Sequence, residues 1–153
     1  MKRHHALEPF SRDHYSGLVA ARHLKDNPGL DTSAELLQLW KDEMDDHFRE
    51  EESLLVPIAP SNLASRLKKE HREIRSMIGR AKTHGLTEDE ATKLGTMLHD
   101  HIRWEERELF PALETTHQLD EIEPQSQAME LRRQSDGHHP RRAELVSRRK
   151  KDS

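Results

Sequence analysis

The stretch His101-Ile102-Arg103-Trp104-Glu105-Glu106-Arg107-Glu108-Leu109-Phe110-Pro111 decides the fold, because the chain carries it twice. The earlier copy is His47-Phe48-Arg49-Glu50-Glu51-Glu52-Ser53-Leu54-Leu55-Val56-Pro57, and the shared frame is H-(F/I)-R-x-E-E-x-x-L-x-P. At about 3.6 residues per turn, positions i and i+4 lie on one helix face, one turn apart. The imidazole and the carboxylate of each copy can then reach one point beside the helix. Each copy is half of a metal site.

Working outward, both copies sit on amphipathic helices. Leu36, Trp40, Met44, His47, Glu51 and Leu55 recur at helical spacing, as do Leu94, Met97 or Leu98, His101, Glu105, Leu109 and Ala112 or Leu113. Two further stripes carry a single histidine each. One is Leu7, Phe10, His14, Leu18, Ala21 and Leu24, and the other is Leu63, Leu67, His71, Ile74, Ile78 and Ala81. Asn27-Pro28-Gly29, Pro57 with Pro60, and Gly85 separate the helices. Thr32-x-x-Glu35 and Thr87-x-x-Glu90 read as capping boxes opening the second and fourth. The pattern predicts an all-α, up-down-up-down four-helix bundle, built as an approximate duplication of a helical hairpin over residues 1–117.

The remainder, 118–153, is polar and basic, with Arg141-Arg142 and Arg148-Arg149-Lys150-Lys151, and reads as a disordered tail. Its charge first serves to balance an acidic body. Binding of nucleic acid or of an acidic partner is the weaker reading, because no aromatic residue accompanies these cations as a stacking platform.

Composition limits what the bundle can be. Charged residues reach 35% against 32% hydrophobic, so the core is thin and a bound metal could add stability. The chain has no cysteine, which excludes disulfides, zinc-thiolate sites and cysteine-ligated clusters. No apolar run follows Met1-Lys2-Arg3-His4-His5, so a soluble cytoplasmic protein without a membrane anchor is expected.

Position, rather than the abundance of histidine, carries the functional argument. His14, His47, Glu51, His71, His101 and Glu105 all fall on apolar stripes. Burying carboxylates is costly unless they are paired or hold a metal. The stripes offer no basic partner at those levels, Arg75 being the nearest. Four imidazoles and two carboxylates, with no thiolate, suit iron or manganese, with zinc less favoured. Two ions bridged by Glu51 and Glu105 would use every ligand.

The order His, His-x-x-x-Glu, His, His-x-x-x-Glu over about residues 7–117 resembles the hemerythrin or HHE cation-binding family. The resemblance implies His14, His47, His71 and His101 as terminal iron ligands and Glu51 and Glu105 as bridges. It implies binding of dioxygen or another diatomic molecule or small anion, in oxygen or nitric oxide sensing, iron handling or oxidative-stress defence. A di-metal oxidase or peroxidase is the enzymatic alternative, and a metal-stabilised interaction module is a third. One departure stands out. The oxygen carriers have a second imidazole on the third helix where this chain has Arg75, which leaves Glu43 and Tyr15 as candidate substitutes.

Overall fold

The computed structural model describes residues 3–136, with side chains to 131. A short 3-10 turn, His5–Leu7, leads into α1, Glu8–Asp26. Helix α2 spans 30–54 and contains one π turn, Trp40–Met44; α3 is Ser61–His84. Helix α4 spans 88–114 and also contains a π turn, Glu105–Leu109. A fifth helix, α5, is Gln118–Asp136. No strand occurs among the described residues.

Helices α1 to α4 form the expected bundle, each packed on its sequence neighbours, with α1 closing the ring against α4. That last contact is tight for a stated reason. A Cβ on Gly95 would lie 2.8 Å from the carbonyl oxygen of Ala21 and 2.9 Å from the amide nitrogen of Lys25. Only glycine lets these two backbones approach so closely.

Local signals explain most helix ends. Thr87 and Glu90 form a reciprocal capping box at the start of α4, with bonds of 3.0 and 3.1 Å. Gly85, at φ 74°, ends α3 in a backbone region that side chains disfavour. The other expected box does not form. Helix α2 starts at Leu30, so Thr32 lies inside its first turn, where its hydroxyl donates to the carbonyl of Asn27 at 2.7 Å. Glu35 pairs with His23 at 2.9 Å instead.

The two prolines of the repeated frame behave differently. Pro57 follows the end of α2 and sits in a 3-10 turn, Val56–Ile58, whereas α4 continues through Pro111 to Glu114. Proline removes an amide donor and crowds the preceding turn. In α4 the wider π turn immediately precedes it, and the helix carries on.

Two apolar clusters fill the bundle, one on each side of the histidine level. The first joins Leu24, Leu36, Trp40, Met44, Ile74, Ile78, Leu94 and Leu98 among others. The second joins Leu7, Phe10, Leu55, Leu67, Leu109, Phe110 and Leu113, and extends onto α5 through Leu119, Ile122 and Met129. Residues 118–136, expected to lack order, form a helix whose buried Leu119, Ile122, Ser126 and Met129 recur at three- and four-residue steps. The basic runs at 141–151 lie outside the described residues.

Candidate metal centre

Each of the six side chains singled out from sequence is buried and turned to one level of the bundle. Their register explains why. His14 follows Phe10 on α1, His47 and Glu51 lie between Met44 and Leu55 on α2, His71 lies between Leu67 and Ile74, and Glu105 precedes Leu109. Polar groups placed there cannot face water.

They meet as two overlapping groups. One comprises His14, His47, Glu51 and Glu105, the other Glu51, His71, His101 and Glu105, and within each the ligand atoms lie within 4.8 Å of one another. Both carboxylates belong to both groups. Glu51 faces His47 through Oε2 at 3.2 Å and His71 through Oε1 at 3.1 Å. Glu105 faces His14 through Oε1 at 2.7 Å and His101 through Oε2 at 3.4 Å.

Most of these atoms make no hydrogen bond. Nε2 of His47, His71 and His101, both oxygens of Glu51 and Oε2 of Glu105 are buried without a hydrogen-bond partner. Leaving such groups unsatisfied costs on the order of 1–3 kcal/mol each, more when they are charged. A cluster of orphaned donor atoms converging on one gap, three nitrogens and three oxygens without sulfur, is what a hard or borderline cation fits.

The opposite ring nitrogens are all engaged. Nδ1 of His14 pairs with Glu106 at 2.7 Å, His47 with Asp13 at 2.9 Å, His71 with Glu52 at 2.6 Å and His101 with Glu70 at 2.7 Å. A carboxylate on Nδ1 holds the proton there and leaves Nε2 as the electron-pair donor, the arrangement that orients metal-binding histidines. This outer set was not read from the sequence, although its signal is present. Each glutamate of the repeat is doubled, as Glu51-Glu52 and Glu105-Glu106, and each lone stripe histidine follows an acid, as Asp13-His14 and Glu70-His71.

Charge in the metal-free cluster is self-compensating. Burial alone would lower the His47 pKa, but the charge of Glu51 and the bonds to Asp13 and Glu51 outweigh it and raise it to about 9. His101 rises to about 9 against the same burial, through Glu105 and Glu70. Burial likewise opposes the shift at His14, which Glu105 and Glu106 hold well above the ordinary value. Desolvation would raise Glu51, yet His47, His14 and His71 keep it well below the usual carboxylate range. A cation entering the cluster therefore displaces imidazole protons.

Neither Arg75, which stands where a fifth imidazole would, nor the two candidate substitutes joins the groups. Arg75 donates to Glu52 at 2.6 Å and lies over the Phe48 ring, outside both groups. Phe48 in turn stacks on His71 with ring centroids 3.9 Å apart. Tyr15 is 42% exposed, and Glu43, though buried, belongs to neither group.

A four-helix bundle whose centre is a buried, doubled His/Glu cluster defines a metal-binding helical protein. The chain belongs to the hemerythrin HHE cation-binding domain family, whose sequence pattern matches residues 1–113. Comparison with curated proteins and with solved structures gives no match to either. Among the described residues, no helix is long and apolar enough to cross a membrane.

Proposed function

We propose that the cluster holds two iron ions, with His14 and His47 as ligands of one, His71 and His101 as ligands of the other, and Glu51 and Glu105 bridging both. One observation carries this reading: two four-residue groups share the same pair of carboxylates. Iron bound there would supply reversible one-electron chemistry toward dioxygen, nitric oxide or small anions. The residues themselves do the rest. Four Nδ1-to-carboxylate pairs fix the ring tautomers, and the two apolar clusters exclude water from either side. Each group offers two imidazoles and two carboxylate oxygens, fewer donors than a six-coordinate ion takes, so exchangeable positions remain.

Burial separates the readings. The six side chains are at most 3% exposed, which suits a diatomic molecule or small anion better than an organic substrate. A cleft of about 260 Å³ between α3 and α4, lined by Arg66, Glu70, Ile74, Met97 and His101, touches the site from outside. We therefore favour a cytoplasmic ligand-binding or iron-handling protein over an oxidase or peroxidase.

Metal analysis of untagged protein, followed by spectra under dioxygen and under its exclusion, tests the reading. About two irons per chain and a reversible optical change are expected. A ratio near one at saturating ferrous iron refutes the bridged pair, and product formation with dioxygen consumption favours the enzyme.

A further inference from the structure

Two of the four outer carboxylates are built into the same device, from unrelated parts of the chain. Around His71, Glu52 takes the ring Nδ1 at 2.6 Å, Arg75 donates to that carboxylate at 2.6 Å, and the guanidinium lies over Phe48, which stacks on the imidazole. Around His14, Glu106 takes the ring Nδ1 at 2.7 Å and Arg3 pairs with the other oxygen of Glu106 at 3.2 Å. Arg3 also lies over Phe110, 5.4 Å from its centroid, and Phe110 stacks on His14 at an interplanar angle of 11°. Each trio of arginine, glutamate and phenylalanine holds one imidazole.

The arginines differ in what holds them. Arg75 stands on α3 one turn after His71, so its own helix places it. Arg3 precedes every helix, and its neighbours are tied to α5. His4 bonds Asp120 at 2.9 Å, the Ser126 hydroxyl donates to the carbonyl of Ala6 at 2.6 Å, and Gln127 donates to that of His5 at 3.2 Å. Ala6 and Leu7 are buried in one cluster with Leu119, Ile122 and Met129. Arg3 then spans two glutamates of α4, donating to the Glu114 carboxylate at 2.7 Å and to the backbone carbonyl of Glu106 at 3.1 Å.

We propose that Arg3 is a positioning residue for His14, acting through Glu106 and Phe110, and that α5, outside the span of the family match, sets that position. Docking of α5 thereby tunes one half of the cluster and leaves the other alone. The proposal takes His14 as a metal ligand and so rests on the reading above. A partly exposed ion pair such as Arg3–Glu106 by itself contributes little. The expected effect comes from the orientation of a buried ring.

The test uses the full chain, metal-free and zinc-loaded, and reads imidazole ¹H–¹⁵N long-range NMR spectra together with zinc release to a chelator. Arg3→Gln should shift the His14 nitrogens and leave His71 in place, while Arg75→Gln should do the reverse. Arg3→Gln should speed release of one zinc about three- to tenfold, less than the roughly ten- to hundredfold typical of a direct outer partner. Ile122→Asp, which undocks α5 with Arg3 intact, should reproduce the His14 shift and add nothing to Arg3→Gln. If that variant does not fold, Asp120→Asn with Ser126→Ala removes two of the ties and serves instead. The proposal is overturned if His14 is unmoved in Arg3→Gln, if His14 and His71 shift together, or if the Arg3 and α5 effects add. Because the metal-free spectra do not depend on ion number, a parent that binds a single zinc counts against the two-ion reading and not against Arg3.

Discussion

The hairpins α1–α2 and α3–α4 present the same inner residues but support them differently. In each, a lone histidine follows an acid and a His-x-x-x-Glu-Glu follows on the next helix. Yet Asp13, the partner of His47, is fully buried, whereas its counterpart Glu70 is 23% exposed and also bonds Arg66 at 2.8 Å. The π turn ends before His47 on α2, whereas on α4 it follows His101 and begins at Glu105 itself. Side chains that converge on one buried gap must satisfy one fixed geometry, so both halves agree on them. The outer supports need only deliver a carboxylate to a ring nitrogen, and several backbones can do that.

The largest expected effect tests the shared part. Glu51→Ala and Glu105→Ala each strip a bridge from both groups and should leave well under one metal per chain. His14→Ala and His71→Ala should each leave about one, by elemental analysis. Equal losses in all four variants would contradict bridging.

Next in size is the contrast between the buried and the half-exposed acid. Asp13→Asn should weaken metal binding about ten- to hundredfold in chelator competition. Glu70→Gln should cost several-fold less, since water can reach and partly replace it. A larger effect at Glu70 would reverse the ranking of the two halves.

Acidity provides a third test. His47 and His101, at about 9 in the folded metal-free chain, exceed the ordinary 6.5. Their contribution to metal-free stability is fully present below 6.5 and is lost as pH rises through about 9. Metal competes with those protons, so the loaded form gains over the same interval. The difference in melting temperature between loaded and metal-free protein should widen from pH 6.5 to 9. A constant difference would mean that binding displaces no protons.

The smallest effect concerns helix starts. Glu90 closes a capping box and Glu35 does not, so Glu90→Ala should lower the denaturation midpoint more than Glu35→Ala, which removes only the pair with His23. Equal costs would restore the box expected at Thr32.

The bundle and the six inner residues were legible because periodicity reports burial, and a charged residue on an apolar stripe has few explanations. The outer acids escaped notice because Asp13, Glu52, Glu70 and Glu106 each adjoin a stripe residue and so project about 100° off its face. They look like ordinary surface charge until four helices are brought together. Helix α5 was missed because its three buried apolar positions, Leu119, Ile122 and Met129, are diluted by polar neighbours and by Pro124 inside the helix. Phe48 and Phe110 are fully buried off the predicted stripes, since a helix in a closed ring touches two neighbours rather than one. The start of α2 was misplaced because Gly29 and Thr32 offer competing signals three residues apart.

The close approach of Gly95 to Ala21 and Lys25 bears on the order of assembly. It joins the first helix of the ring to the last, so the ring cannot close until α4 has formed. Neither hairpin holds a full group of four ligands, since the first lacks Glu105 and the second lacks Glu51. On the two-ion reading proposed above, α1 and α2 alone would offer an ion only His14, His47 and Glu51 during synthesis. Metal acquisition would then be a late folding event, following the emergence of residues 88–114 from the ribosome.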